Sequence, residues 1–288
     1  MLLTNKYNLP ETLFDAIEND GYDVDQSDLS IISTTTLINP PKIRILRSRH
    51  WDKVEEDVSE NIWRLLGTSV HAILERVSSK NRLLEERITI EFDGKKVSGK
   101  TDIYVDEKVE DYKVTSAWTI VYNPDGKKDW ENQLNVNAWL FRKQGFEVKE
   151  LNIIAILRDW SKTKAKSDPN YPQLPVVVVN IPLWSMEQQE AYIKTRVMVH
   201  KMHETAADDE IPCCTPEERW SDPDKFAVYK NGNKTATKVC GSKDEADEYI
   251  ANADSKHAWR IEERKGGDRR CPDYCAVNKF CHYYKNNY

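Results

Sequence analysis

No stretch of this sequence approaches the roughly 20 consecutive apolar residues that a membrane-spanning helix needs; its apolar runs are as short as Val176–Val179. A membrane-embedded protein is therefore excluded, and no membrane partner is expected. A secretory leader is missing too. The opening residues MLLTNKYNLPETLFD show neither a basic start nor a long apolar stretch, which points to the cytoplasm. Cysteine is absent before Cys213, and all six cysteines crowd into the last part of the chain. In a reducing compartment such crowding excludes a disulfide framework and favours metal ligation. Positive charge is not in excess: 42 Lys and Arg stand against 48 Asp and Glu, a formal net charge of −6. That balance excludes a protein that coats nucleic acid by bulk charge. It leaves room for a metal site built from carboxylates with local basic grips. There is no internal repeat and no low-complexity tract.

What is present suits a globular protein. With 288 residues, 39% of them hydrophobic, the chain can bury one large core or two modest ones. Two basic stretches stand out: Lys42, Arg44, Arg47, Arg49 and His50, and then Arg158, Lys162, Lys164 and Lys166. Each reads either as a phosphate grip or as a solvated face. A short helix is predicted over Glu11–Asn19, and Asn39-Pro40-Pro41 interrupts regular structure. Helical periodicity runs from Val58 to Ser79, with Gly67 interrupting it or restarting it. Strands are predicted over Leu84–Phe92, Val97–Val105 and Lys108–Thr115, the first two joined by an Asp93-Gly94 turn. A helix follows over Lys128–Gln144, ended by Gly145, then a buried strand over Leu151–Leu157, a further strand over Val176–Ile181, and a helix over Ser185–Glu204. Past residue 205 the pattern changes to short strands, one helix around Ser242–Ala253, and a cysteine-rich tail. This divides the chain into an N-terminal segment (1–57), a core (58–205) and a C-terminal extension (206–288), the last either folded back on the core or standing apart.

The chemistry concentrates in Gly99-Lys100-Thr101-Asp102 and, after eight intervening residues, Asp111-Tyr112-Lys113. Residues two apart on a strand share a face, so Asp111 and Lys113 project together while Glu110, Tyr112 and Val114 face away. A turn at Asp106-Glu107 returns the chain and sets Asp102 beside Asp111. Two carboxylates suit a hard ion such as Mg²⁺ or Mn²⁺, which keeps water sites for a substrate phosphate. An adjacent lysine suits the orientation of an attacking water and the stabilisation of developing negative charge. A charged surface hairpin is the bland alternative.

Upstream of this pair, Gly67-Thr68-Ser69-Val70-His71 lies in the first long helix, with Glu75 one turn on; downstream, Gln133 lies in the helix after the D-x-K strand. In this order the set resembles the RecB-like branch of the PD-(D/E)xK nuclease superfamily, over roughly residues 58–158. The resemblance implies an α/β restriction-endonuclease-like core, a central mixed sheet flanked by helices, with a C-terminal iron–sulfur extension. It makes His71, Asp102 and Asp111 metal ligands, with the Tyr112 carbonyl as a further one. Lys113 becomes the catalytic lysine and Gln133 an ordering or DNA-contacting residue. Family members often carry tyrosine four residues after the glutamine, where this chain has Asn137.

The tail reads Cys271-x3-Cys275-x5-Cys281. One further thiolate would complete a tetrahedral set suited to a 4Fe-4S cluster or to zinc. The one-plus-three arrangement resembles the iron–sulfur staple of RecB-like nucleases, and the run from Cys214 to Trp220 resembles phage members of that group. Those relatives usually hold the fourth cysteine before the core. Here Cys213, Cys214 and Cys240 are the candidates, with Cys214 favoured for its proline-bracketed turn. The reading is thus a Mg²⁺- or Mn²⁺-dependent DNA exonuclease acting on single-stranded or end-bearing DNA, with a homo-oligomer or a recombination partner in view. A catalytically silent accessory subunit and a zinc-stabilised interaction protein stay open beside it.

Overall fold

The computed structural model describes residues 1–19, 28–74, 76, 82–253 and 257–288. Two compact units divide the chain, Met1–Ile211 and Pro212–Tyr288. The first opens with β1 (Leu2–Thr4), α1 (Glu11–Glu18), β2 (Ile31–Ser33), α2 (Thr34–Ile38), α3 (Pro41–Arg49), β3 (Glu55–Asp57) and α4 (Ile62–Leu74). It continues through β4 (Arg82–Phe92), β5 (Lys95–Val105), β6 (Lys108–Thr115), α5 (Ala117–Tyr122) and α6 (Lys128–Lys143). It closes with β7 (Glu150–Leu157), α7 (Lys162–Ser167), β8 (Val176–Ile181) and α8 (Met186–Met202). Gly67 lies inside α4 without breaking it. Glu75, Val77 and Ser79, which periodicity assigns to the same helix, lie outside the described residues.

Two tight turns shape the sheet. Asp93 and Gly94 both take positive φ, 49° and 74°, and so do Asp106 and Glu107, at 47° and 62°. Phe92 pairs with Lys95 across the first turn and Val105 with Lys108 across the second. Two-residue hairpin loops of this hand match the natural twist of the strands they join. The resulting six-stranded sheet is mixed, in the order β2-β5-β6-β7-β8 with β4 on β5. The β2–β5 and β6–β7 pairs are parallel and the others antiparallel.

On β5 the β2 ladder occupies Lys96–Ser98, whereas the β6 ladder begins only at Ile103, opposite Glu110. Between them β5 and β6 diverge, and the candidate site lies in that split. Gly99 falls in the same stretch. A Cβ there would stand 2.5 Å from Asn137 Oδ1, 2.5 Å from Leu140 and 2.7 Å from Thr34 Oγ1. Only glycine lets α2 and α6 approach β5 this closely.

The core centres on α6, whose Leu134, Trp139, Leu140 and Phe141 are buried. Trp139 meets Phe92 edge-on at 5.2 Å and Phe141 stacks on Tyr104 at 4.9 Å, which seats the helix on the sheet. Buried Asn135 ties the helix to the chain leading into α8. Its amide donates to the Glu131 and Pro182 carbonyls, and its oxygen accepts from Trp184 N and Gln189 Nε2. A buried side-chain amide satisfied at every position helps specify a single arrangement of these elements.

On α8, Arg196 Nε donates to Leu37 O at 2.8 Å and His200 Nε2 reaches the same carbonyl at 3.2 Å. His200 is fully buried. Burial, reinforced by the charges of Arg196 and Arg44, depresses its pKa from 6.5 to about 4. The sign follows directly. Above pH 6.5 the histidine is neutral in both folded and unfolded chains and has no effect. As the pH falls from 6.5 to 4, the unfolded chain takes up a proton that the folded chain refuses, so stability declines. A separation of that size amounts to about 3 kcal/mol. The melting temperature is therefore expected to fall across this window, and a His200→Gln variant to show a shallower slope; an unchanged slope would count against the assignment.

The N-terminal segment is built into this first unit. It supplies β2 to the sheet, and the basic stretch of α3 turns inward rather than toward phosphates. Lys42 Nζ donates to Ile211 O at 2.7 Å, Arg44 pairs with Glu204 at 2.8 Å, and both Arg49 and His50 reach Asp208 at 2.7 Å. Arg47 pairs with Glu56. Cations from one helix thus fasten the 204–211 segment, which is why the unit runs to Ile211 rather than ending near residue 205.

The second unit holds α9 (Pro216–Arg219), β9 (Lys225–Lys230), β10 (Lys238–Cys240), α10 (Lys243–Ala251), β11 (Trp259–Arg264), α11 (Arg270–Asp273) and α12 (His282–Asn287). Its antiparallel sheet runs β10-β9-β11. Val228, Cys240 and Ala246 form a small buried core with Tyr249 and Trp259 against it. Buried Asp268 gathers the tail: it pairs with Arg219 at 3.1 Å and accepts from the hydroxyls of Tyr283 and Ser221. Among the described residues, no helix is long and apolar enough to cross a membrane.

Candidate active site

Asp102 stands one step beyond the last ladder pair, Ile103 with Glu110, so the register continued places it directly opposite Asp111. Directly opposed residues on neighbouring strands point to the same face of a sheet. Where the strands part, the Asp102 carboxylate fills the opening: its Oδ2 accepts the Tyr112 amide N–H at 2.7 Å. A side chain thereby takes a backbone donor from β6, and this fixes the carboxylate in place. Tyr112 joins the site through that amide. His71, on α4, sets its Nδ1 3.3 Å from Asp102 Oδ1.

Asp111 is only 2% exposed. Gln133 of α6 donates Nε2 to Asp111 Oδ1 at 3.2 Å. Lys113 pairs its ammonium with Asp111 Oδ2 at 2.7 Å, and that oxygen is sealed from solvent. Burial raises the Asp111 carboxyl above the ordinary carboxylate range. Lys113 pulls against this, the Asp102 charge adds to it, and His71 opposes it more weakly. Each of these neighbours acts on the same carboxylate, so His71, Asp102, Asp111, Lys113 and Gln133 share one electrostatic environment. A buried carboxylate beside a second carboxylate and an imidazole is a donor set suited to a hard divalent cation. As placed, however, no three His, Cys, Asp or Glu side chains among the described residues form a group that could hold a metal ion.

Asn137, where the resemblance leads one to expect tyrosine, does something else. It is buried against Gly99, and its Oδ1 accepts from Thr34 Oγ1 at 2.9 Å. Its place is in the contact of α2, α6 and β5, not among the carboxylates.

The second basic stretch behaves unlike the first. The Arg158 guanidinium lies 4.5 Å above the Trp63 ring, and Lys164 lies 5.0 Å above Trp118 and 5.9 Å from Tyr171. These aromatic partners were missed in the sequence because they are remote in it; a run of cations alone does not show which rings it will meet.

In the second unit, burial pushes the Cys214 thiol up to about 12, with Glu218, Cys275 and Cys281 adding to the effect. Burial likewise pushes Cys271 up to about 11, with Asp268, Cys275 and Cys281 adding. Cys275 and Cys281 thus act on both Cys214 and Cys271, although as placed no three of these thiols, all among the described residues, form a group that could hold a metal ion. Cys240 is buried in the β9–α10 core instead, and exposed Cys213 sets its Sγ 3.4 Å from His282 Nε2.

No protein-family model matches this chain, and no curated protein matches it either. Among solved structures it is similar to SSO0001, at 18% identity and a TM-score of 0.44, over 65% of this chain and 84% of that one. It is similar to an alkaline exonuclease from Laribacter hongkongensis at 12% identity and a TM-score of 0.40, over 68% and 93%. A phage-related exonuclease from Haemophilus somnus aligns at 18% identity and a TM-score of 0.28, over 57% and 70%. At these values the likenesses fix neither a shared site nor a shared activity.

Proposed function

We propose that the first unit is a Mg²⁺- or Mn²⁺-dependent deoxyribonuclease of the PD-(D/E)xK type. The observation that supports this reading is that the Asp102 charge acts on buried Asp111, which Lys113 and Gln133 contact at its two oxygens. Asp102, Asp111 and His71 would hold the ion, with the Tyr112 carbonyl as a further ligand carried over from the resemblance. A bound divalent ion would polarise the scissile phosphate and lower the pKa of a nearby water.

The protein's own groups supply the rest. The Lys113 ammonium sits where it can orient that water and offset charge building on the phosphate oxygens. Gln133 restrains the rotation of the Asp111 carboxylate and the Tyr112 amide that of Asp102. In the step itself the water oxygen bonds to phosphorus, the bond to the departing sugar oxygen breaks, and that oxygen takes up a proton. Action at DNA ends, as an exonuclease, is carried over from the family resemblance.

For the tail we propose Cys214, Cys271, Cys275 and Cys281 as ligands of a 4Fe-4S cluster. The influence of Cys275 and Cys281 on both Cys214 and Cys271 supports this choice of four, and the seat of Cys240 in a separate apolar core argues against it as the fourth. The test of the nuclease reading is digestion of end-labelled linear DNA. Cleavage is expected with Mg²⁺ or Mn²⁺ and none with excess chelator; metal-independent cleavage, or no cleavage with any divalent ion, would remove the reading.

A further inference from the structure

The strand that carries Asp111 and Lys113 leads straight into α5, and this connection is tightly fixed. Asp159, at the end of β7, accepts from Ser116 Oγ and from Ala117 N, each at 2.6 Å. Its neighbour Arg158 donates its amide to Thr115 O at 2.9 Å and lays its guanidinium over Trp63 at 4.5 Å. Two consecutive residues thus tie α4, through Trp63, to α5, through its first turn. Trp63 lies on the same helix as His71, two turns earlier, or about 12 Å along the axis.

On this edge the rings are open to solvent although they are large. Trp63 is 60% exposed, Trp118 39% and Tyr122 76%. Trp118 stacks near Tyr122, with 5.9 Å between centroids at 25°. Lys164 lies 5.0 Å above Trp118 and 5.9 Å from Tyr171. The one acid in the linking segment, Asp159, is committed to the α5 amide and hydroxyl. Solvent-exposed rings are here interleaved with cations, Arg158 over Trp63 and Lys164 over Trp118, in a chain whose net charge is −6. They are what successive unpaired bases and their phosphates require, since every base offers a π face and duplex DNA hides it.

We propose that Trp63, Trp118 and Tyr122, with Arg158 and Lys164, form a stacking platform for single-stranded DNA beside the Asp102–Asp111–Lys113 pocket. The proposal rests on the nuclease reading only for what the platform feeds; the binding itself stands on the rings and cations. A platform of this kind would select an unpaired strand by its exposed bases, with little regard to their sequence.

The test is binding of a fluorescent oligo-dT by anisotropy, in excess chelator so that nothing is cleaved. Trp63→Ala and Trp118→Ala are each expected to weaken binding at least about fivefold, while Trp118→Phe, which keeps a stacking face, restores most of it. Tyr7→Ala, at another solvent-exposed ring (72% exposed), is the control and is expected to bind as the unaltered chain does. Lys164→Ala is expected to flatten the dependence of affinity on salt. Unchanged affinity in both tryptophan variants, with circular dichroism showing them folded, overturns the platform. An equal loss for a closed duplex circle overturns the single-strand selectivity. Failure of the nuclease reading looks different: oligo-dT binding would still fall in the tryptophan variants, while no divalent ion would produce cleavage.

Discussion

Lys113→Ala should lower the rate of DNA cleavage by about 10²–10³-fold, the scale set by removing one preorganised charge-stabilising donor. Lys113 is only half-buried and its ammonium contacts a carboxylate, so truncating it removes charge more than packing. Asp111→Asn should be more damaging. It keeps the shape of a fully buried side chain but removes the charge that attracts a cation, and cleavage should fall below detection at any divalent-ion concentration. The amide can still meet Gln133, so the fold should survive, which a thermal melt of each variant would establish. Cleavage within a few-fold of the unaltered chain, in a folded Asp111→Asn protein, would sink the assignment of the pocket.

Loss of a tail thiol should act on folding rather than on chemistry. The second unit has little apolar mass of its own: Val228, Cys240 and Ala246 at its centre, with half-buried rings around them. Small domains of this kind generally need a staple. A structural metal centre can contribute on the order of 10 kcal/mol to folding, comparable with the whole stability of a typical domain. On the proposed ligand set, Cys271→Ser or Cys275→Ser should therefore lower the iron content and leave the segment after Ile211 open to limited proteolysis, with the first unit resistant. Iron and labile sulfide in anaerobically purified protein should distinguish a cluster from zinc, which is colourless. A serine variant with full metal content and a protected tail would show that these thiols are not ligands.

Much of the first unit was legible because local signals agree with one another. Asp93-Gly94 announces its hairpin, the two-residue period of Asp111 and Lys113 announces a shared face, and the apolar pattern of Lys128–Gln144 announces the helix that carries Gln133. What escaped was long-range. The three residues of β2 are too short to show a period, and their parallel pairing with Lys96–Ser98 can be seen only once the chain has folded. Asn137 looked like a departure from a motif; its role depends on the lack of a side chain at Gly99, far away in sequence. The basic stretch of α3 gave no hint of facing inward, because its carbonyl and carboxylate partners lie in a segment that carries no pattern. The same composition in the second basic stretch ends against exposed rings, so charge alone did not separate the two outcomes.

The fastening of α3 to residues 204–211 also sets where the chain can be cut. A shortened protein ending at 205 would take away the Ile211 carbonyl from Lys42 and the Asp208 carboxylate from both Arg49 and His50. Losing the acceptor of buried Lys42 together with the half-buried ion pair of Arg49 is costly, so such a fragment should be less stable however complete its sheet. Continued to Ile211, the fragment retains these acceptors, and that is where a protease or a gene designer should find the joint.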